Sequence, residues 1–160
     1  MPPARPDTID LERFVPYRLS VLSNLVSSTI AAAYRRRFDL SVPEWRVLAV
    51  LARHPGLSAA QVAELTRMDA VAVSRAVATL VAAGRLHRRT SRDDRRRSVL
   101  TVSDAGATVY REVAPLALAY ERELLDALGP HERAALERVL EALTARAQAL
   151  ASTSRSPPLP

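Results

Sequence analysis

Residues 58–106 read SAAQVAELTRMDAVAVSRAVATLVAAGRLHRRTSRDDRRRSVLTVSDAG, and the rest of the chain is arranged around them. Ser58 followed three residues later by Gln61 is a capping box, in which hydroxyl and amide each satisfy a backbone N–H that a first helical turn leaves unpaired. A helix should therefore begin at Ala59, with Val62, Ala63 and Leu65 on its apolar side. Thr66-Arg67-Met68 breaks it. Asp69 then has the chemistry to cap a second helix, because its carboxylate accepts from backbone N–H groups and its charge suits the positive helix end.

In that second helix Val73, Ala76, Val77, Leu80 and Val81 recur at i, i+3, i+4, i+7 and i+8, which predicts one buried stripe. The opposite side carries Val71, Ala72, Ser74, Arg75, Ala78 and Thr79. Such a face is slim enough for a DNA major groove, where Arg can hold guanine bidentately and small methyls can touch thymine. Taken alone, the pattern also fits an ordinary surface helix. Gly84 closes the helix as the residue after its cap. Arg85 to Thr90 and Ser98 to Val102 can pair as strands, and Ser91 to Arg97 between them holds four arginines against two aspartates. A charge run alone is usually a solvated face; directly after a recognition-type helix it reads as a wing that meets phosphates or a narrow minor groove. Arg88, on the first strand, would face phosphate more readily than base edges. The order predicts a winged helix-turn-helix, and the fold class is mostly α with a small β-hairpin wing (α+β).

Here the chain resembles the MarR family of bacterial transcriptional regulators. The family's signature is a recognition helix ending in Gly, a wing with Asp-Arg-Arg and then Leu-Thr-x-x-Gly. In this sequence it reads Gly84, Asp94-Arg95-Arg96 and Val102-Ser103-Asp104-Ala105-Gly106, with Val for Leu and Ser for Thr. Val102 can still be a strand-end core residue, and Ser103 can still cap the next helix. Ala70 departs from the longer polar residue or proline that many relatives have at the first helical position, so a backbone contact there can be absent. The resemblance runs from about Leu11 to Leu150. It implies that Asp94 steadies the wing by pairing with a nearby Arg and that Arg96 reaches into the minor groove, with Arg95 beside it. It also implies a homodimer held by N- and C-terminal helices, bound to a pseudo-palindromic double-stranded DNA operator, with a small effector in a pocket between those helices and the winged motif.

Length and composition agree with one domain of ordinary size. The chain has 160 residues, 48% apolar and 25% charged. All 23 basic residues are arginines, and the formal net charge is +6. Nine Arg against four acids between Glu64 and Arg97 put +5 of that charge on the winged motif, the electrostatic footprint of nucleic-acid binding. No Cys occurs, which excludes disulfides and thiol-based redox sensing. Met1 to Asp10 has no apolar core, so no signal peptide is read there, and the uncharged run Leu19 to Tyr34 is too short and polar to span a bilayer. A cytoplasmic protein without membrane contact is expected.

Outward from the central stretch, residues 1–9 read as a flexible arm and residues 10–151 as a single domain. Within it a long helix is expected from Asp10 to Phe38, with Leu11, Phe14, Val15, Leu22, Leu25, Val26, Thr29 and Ile30 on a broad face. Arg35-Arg36-Arg37 suits its C-terminal dipole end better than DNA contact. Ser41 and Glu44 form a second capping box, which starts a central helix at Pro43 that runs to Arg53. From Ser103 a helix should run to about Leu128, bent at Pro115. Gly129-Pro130 precedes a last helix from His131 to about Ala151. There Leu136, Val139 or Leu140, Leu143, Ala147 and Leu150 form a stripe, which suits a partner chain, its own domain or both. Helices 10–38 and 103–151 are the expected dimerisation elements, and Ser152 to Pro160 reads as a disordered tail.

His54, His87 and His131 share no ligand spacing, so neither metal nor cofactor is expected. No Gly-x-Ser-x-Gly, phosphate-cradling loop or placed carboxylate pair points to an enzyme. For an effector, Trp45 and Arg46 on the central helix and Tyr17 and Arg18 on the first are candidates, because a ring plus a guanidinium suits an aromatic carboxylate. The alternative is that Trp45 is a core residue and Arg46 a surface one. The sequence thus points to a homodimeric, ligand-responsive DNA-binding repressor; the rival reading is a winged-helix module that binds protein without specific DNA binding.

Overall fold

The computed structural model describes residues 9–90 and 98–153. Its elements, in order, are α1 (Val15–Phe38), α2 (Val42–Arg53), α3 (Ala59–Thr66), α4 (Ala70–Ala82), β1 (Leu86–Thr90), β2 (Ser98–Val102), α5 (Asp104–Leu125) and α6 (Pro130–Thr153). The mostly helical fold with a two-stranded wing is therefore the one the sequence predicts.

The caps act as their chemistry requires. Ser41 Oγ accepts from Glu44 N while Glu44 Oε2 accepts from Ser41 N at 2.7 Å, and Ser58 and Gln61 repeat the arrangement at α3. Asp69 Oδ1 accepts from Val71 N at 2.9 Å and Ala72 N at 3.0 Å, so α4 starts at Ala70. Gly84 follows its end with φ +68°, a conformation that costs a residue without Cβ little.

Several helix bounds differ from expectation, among them the start of α2, at Val42 rather than Pro43. α1 starts at Val15 rather than Asp10, because Pro16 lacks an N–H and its ring would strike the carbonyl one turn earlier, so it fits only the first turn of a helix. Residues 10–14 instead make a turn, with Arg13 N donating to Asp10 O at 3.1 Å. α5 ends at Leu125 rather than near Leu128, and α6 takes in Pro130 and continues through Ser152 and Thr153, which were read as tail. The basic wing tip, residues 91–97, and the terminal residues 1–8 and 154–160 lie outside the described residues.

Strands β1 and β2 are antiparallel, with Leu86 opposite Val102 and Arg88 opposite Leu100. The other edge of β2 bonds the segment before α3: Gly56 N donates to Leu100 O and Leu100 N to Leu57 O, each at 2.9 Å. This pairing fixes the wing to the helix-turn-helix.

The chain divides into two compact units, residues 1–117 and 118–160. In the first, Tyr34, Leu40, Val47, Leu48, Leu51, Val62, Val73, Val77, Leu80, Leu86, Leu100 and Val113 are fully buried. In the second, Arg133 ties the turn before α6 by bonding Asp126 Oδ1 at 2.9 Å and Leu128 O at 3.1 Å. α6 has no buried residue, and Val139, Leu140, Leu143 and Leu150 are exposed. Among the described residues no helix is long and apolar enough to cross a membrane.

Candidate nucleic-acid interface

The turn between α3 and α4 is set by Arg67, in the left-handed region at φ +54°. Thr66 Oγ1 donates to Val62 O at 2.7 Å and accepts from Met68 N at 3.3 Å, closing the end of α3 against that turn. The stripe Val73, Ala76, Val77 and Leu80 is buried, which rolls the opposite face outward. Val71 is 57% exposed; Ser74, Arg75, Ala78 and Thr79 are exposed and Ala72 is half-buried. Thr79 Oγ1 donates to Arg75 O at 3.1 Å, so its proton is spent on its own helix and its lone pairs remain to accept. The Arg75 guanidinium forms no ion pair among the described residues.

Arg75, Ala72, Ala76 and Thr79 line one wall of a groove of about 270 Å³ whose other wall is Ser41, Pro43 and Glu44 at the start of α2. In the sequence Ser41 and Glu44 read only as a helix cap. Nothing local shows that a segment some thirty residues upstream flanks the outward face of α4.

At the base of the wing, Ser103 is buried; its Oγ donates to Gly84 O at 2.6 Å and accepts from Gly106 N at 3.1 Å. Ser103 N donates to Arg85 O at 3.1 Å. A Cβ on Gly106 would lie 2.1 Å from Arg85 O, so only glycine lets α5 approach β1 this closely. Ser103 and Gly106 thus join the end of α4, the strand pair and the start of α5. On the wing itself, the register places Arg88 on the same face as buried Leu86 and Leu100, with its side chain exposed, while His87 and Arg89 occupy the other face. Asp94, Arg95 and Arg96 fall outside the described residues.

The effector candidates separate into two places. Trp45 stacks on Tyr110 of α5, centroids 5.8 Å apart and planes 20° apart, and meets Tyr34 of α1 at 5.8 Å. Arg46 Nη2 donates to Ser27 Oγ at 2.8 Å. Burial raises the Tyr34 phenol above its usual value, while Arg35 and Arg46 pull it the other way. Tyr17 and Arg18 are exposed on α1, ten residues before Ser27 and so about 15 Å along the helix axis. The structure brings Trp45 and Arg46 together with Tyr34, Tyr110 and Ser27, and leaves Tyr17 and Arg18 apart. Tyr34 and Tyr110 were missed, although Tyr34 follows Ile30 by four residues on the apolar side of α1.

Residues 38–97 match the model of the MarR family. No curated protein matches the chain. Among solved structures, a MarR-family transcriptional regulator from Silicibacter pomeroyi is similar at 25% identity and TM-score 0.74, over 86% of this chain and 92% of that one. PcaV from Streptomyces coelicolor, solved with its natural ligand, is similar at 24% identity and TM-score 0.69, over 88% and 98%. FabT from Streptococcus pneumoniae, solved in complex with DNA, is similar at 22% identity and TM-score 0.70, over 88% and 99%. The family model matches from the end of α1 through the wing, and the fold is one that MarR-family transcriptional regulators share with this chain nearly end to end.

Proposed function

We propose that the chain is a sequence-specific, double-stranded-DNA-binding repressor, without catalytic activity, that acts in the cytoplasm as a homodimer on a pseudo-palindromic operator and is released by a small effector. The observation that carries this reading is the outward face of α4, where Val71, Ser74, Arg75 and Thr79 stand exposed on a helix fixed by the Asp69 cap and a buried stripe. Arg75 is the residue expected to read guanine, with Val71, Ala72, Ser74 and Thr79 packing against neighbouring base edges. Arg88, and Asp94, Arg95 and Arg96 at the tip, serve the wing's hold on phosphate and minor groove. The structure of the similar FabT with DNA supports the DNA-binding part.

One recognition helix spans only a few base pairs, so two of them, one helical turn apart at about 34 Å, are needed for operator-grade specificity. The exposed apolar residues of α1 and α6 supply surface for that pairing. For the effector we favour an aromatic carboxylate at Trp45 and Arg46, with Tyr34 and Tyr110 alongside; PcaV, solved with its natural ligand, supports a ligand-responsive member of this fold.

Selection from a randomised duplex library tests the proposal. The purified protein should enrich a two-fold symmetric sequence, and log affinity should fall linearly with log salt. Enrichment of nothing, with no salt-dependent duplex binding, would favour the protein-interaction module instead.

A further inference from the structure

Arg85, between Gly84 and β1, is bonded through all three of its polar parts to three different regions. Its N–H donates to Leu80 O at 2.8 Å and closes the end of α4. Its carbonyl accepts from Ser103 N at 3.1 Å and abuts Gly106, where no methyl would fit, so it is locked against the wing's second strand and the first turn of α5. Its guanidinium donates to the carbonyl of Phe38, the last residue of α1. That carbonyl is one of the four that a helix end cannot satisfy internally. The main chain of Arg85 cannot shift without opening the wing base, so its side chain joins α1 to the DNA-reading elements at a fixed point.

The way α1 is held makes that point matter. Its C-terminal half is the part fastened to the unit: Ala31 and Tyr34 are buried, Ser27 accepts from Arg46 of α2 at 2.8 Å, and Arg37 pairs with Glu112 of α5. Val15, Leu19, Leu22 and Leu25 are exposed. From Ser27 back to Val15 the free arm is about 18 Å long, so a pivot of about 10° at its anchored end moves the other end by about 3 Å, close to one base-pair step.

We propose that Arg85 is a positioning residue: by joining the wing base to the end of α1 it sets the angle between that helix and α4, and thereby the half-site spacing that the dimer accepts. The proposal rests on the DNA-binding, homodimeric reading given above. A residue that merely capped α1 would affect stability and leave spacing untouched.

The experiment uses the full chain and the duplex that the wild-type protein selects from a randomised library, together with versions that have one base pair added or removed between the half-sites. Wild type should bind the selected spacing at least tenfold more tightly than either shifted duplex. Arg85→Met keeps the aliphatic stem and removes the donors; it should remain dimeric by light scattering, lose about tenfold on the selected spacing and change little on the shifted ones, so that the preference flattens. Arg85→Lys should fall between, because one ammonium reaches the carbonyl without the guanidinium's planar fork. An equal loss on all three duplexes, or a wild-type profile, in Arg85→Met overturns the proposal. Where Arg85→Met does not fold, an intermediate profile in Arg85→Lys supports the proposal and a wild-type profile overturns it. A wild-type protein that selects no duplex defeats the DNA-binding reading and this one with it, whereas normal selection with unaltered spacing preference defeats only the role of Arg85.

Discussion

Arg75 and Tyr34 sit at opposite extremes of solvation, and each has a measurable consequence. Arg75 stands exposed on the outward face of α4 without an ion pair among the described residues, so its donors need not be freed before meeting a base. If it pairs with guanine, Arg75→Ala should cost about 1–3 kcal/mol on the selected operator and little on random DNA in a salt titration. Equal losses on both, with the salt slope reduced by about one unit, would make it a phosphate contact and leave Ser74 and Thr79 as the base readers. Tyr34 is buried, and burial holds its phenol above the ordinary value of 10.0. The fold therefore favours the neutral phenol: this contribution to stability is intact below pH 10 and is lost as pH rises through the folded-state value. Urea midpoints followed from pH 8 to 11 should fall less steeply for Tyr34→Phe than for wild type. Arg75 was legible in sequence, because a one-sided helix must turn its remaining side to solvent. The Tyr34–Trp45–Tyr110 cluster was not, because its rings come from α1, α2 and α5 and only tertiary packing brings them together.

Among the elements, those with a chemical start signal were read most closely. Ser41, Ser58 and Asp69 bond their own first turns, and these bonds form from residues two or three apart, so no long-range information is needed. Asp69→Ala should cost about 0.5–2 kcal/mol in denaturant unfolding, through the loss of two backbone acceptor bonds at α4. Helicity outside that first turn should be unchanged by circular dichroism. The start of α1 was misplaced for the same local reason in reverse: hydrophobic spacing continued through Leu11 and Phe14, while Pro16 set the boundary. The groove beside Arg75 was invisible because its walls, the start of α2 and the outward side of α4, are adjacent only after the core has formed around Leu48, Val73 and Val77.

For the molecule as a whole, the exposed apolar residues of α6 should be covered by a second copy. Leu143, 44% exposed in the single chain, would then be buried between protomers. Leu143→Asp would place a charge where water cannot reach it and should yield monomers or unfolded protein, measured by light scattering alongside circular dichroism. A folded dimer carrying that substitution would put the interface elsewhere. Operator affinity should fall together with dimerisation, since a half-site alone is a weak target.

That α6 buries no residue within one chain has a further consequence, for dosage. A helix without a buried face draws little stability from its own sequence; in the proposed homodimer association supplies its order, and association obeys mass action. The melting temperature should therefore climb with protein concentration over a dilution series, and a concentration-independent transition would show that α6 stands alone. Where it climbs, copy number governs folding and operator occupancy together. Well below both dissociation constants operator occupancy scales with the square of protein concentration, so halving the protein lowers occupancy about fourfold, which turns expression level into a threshold for the protein's action.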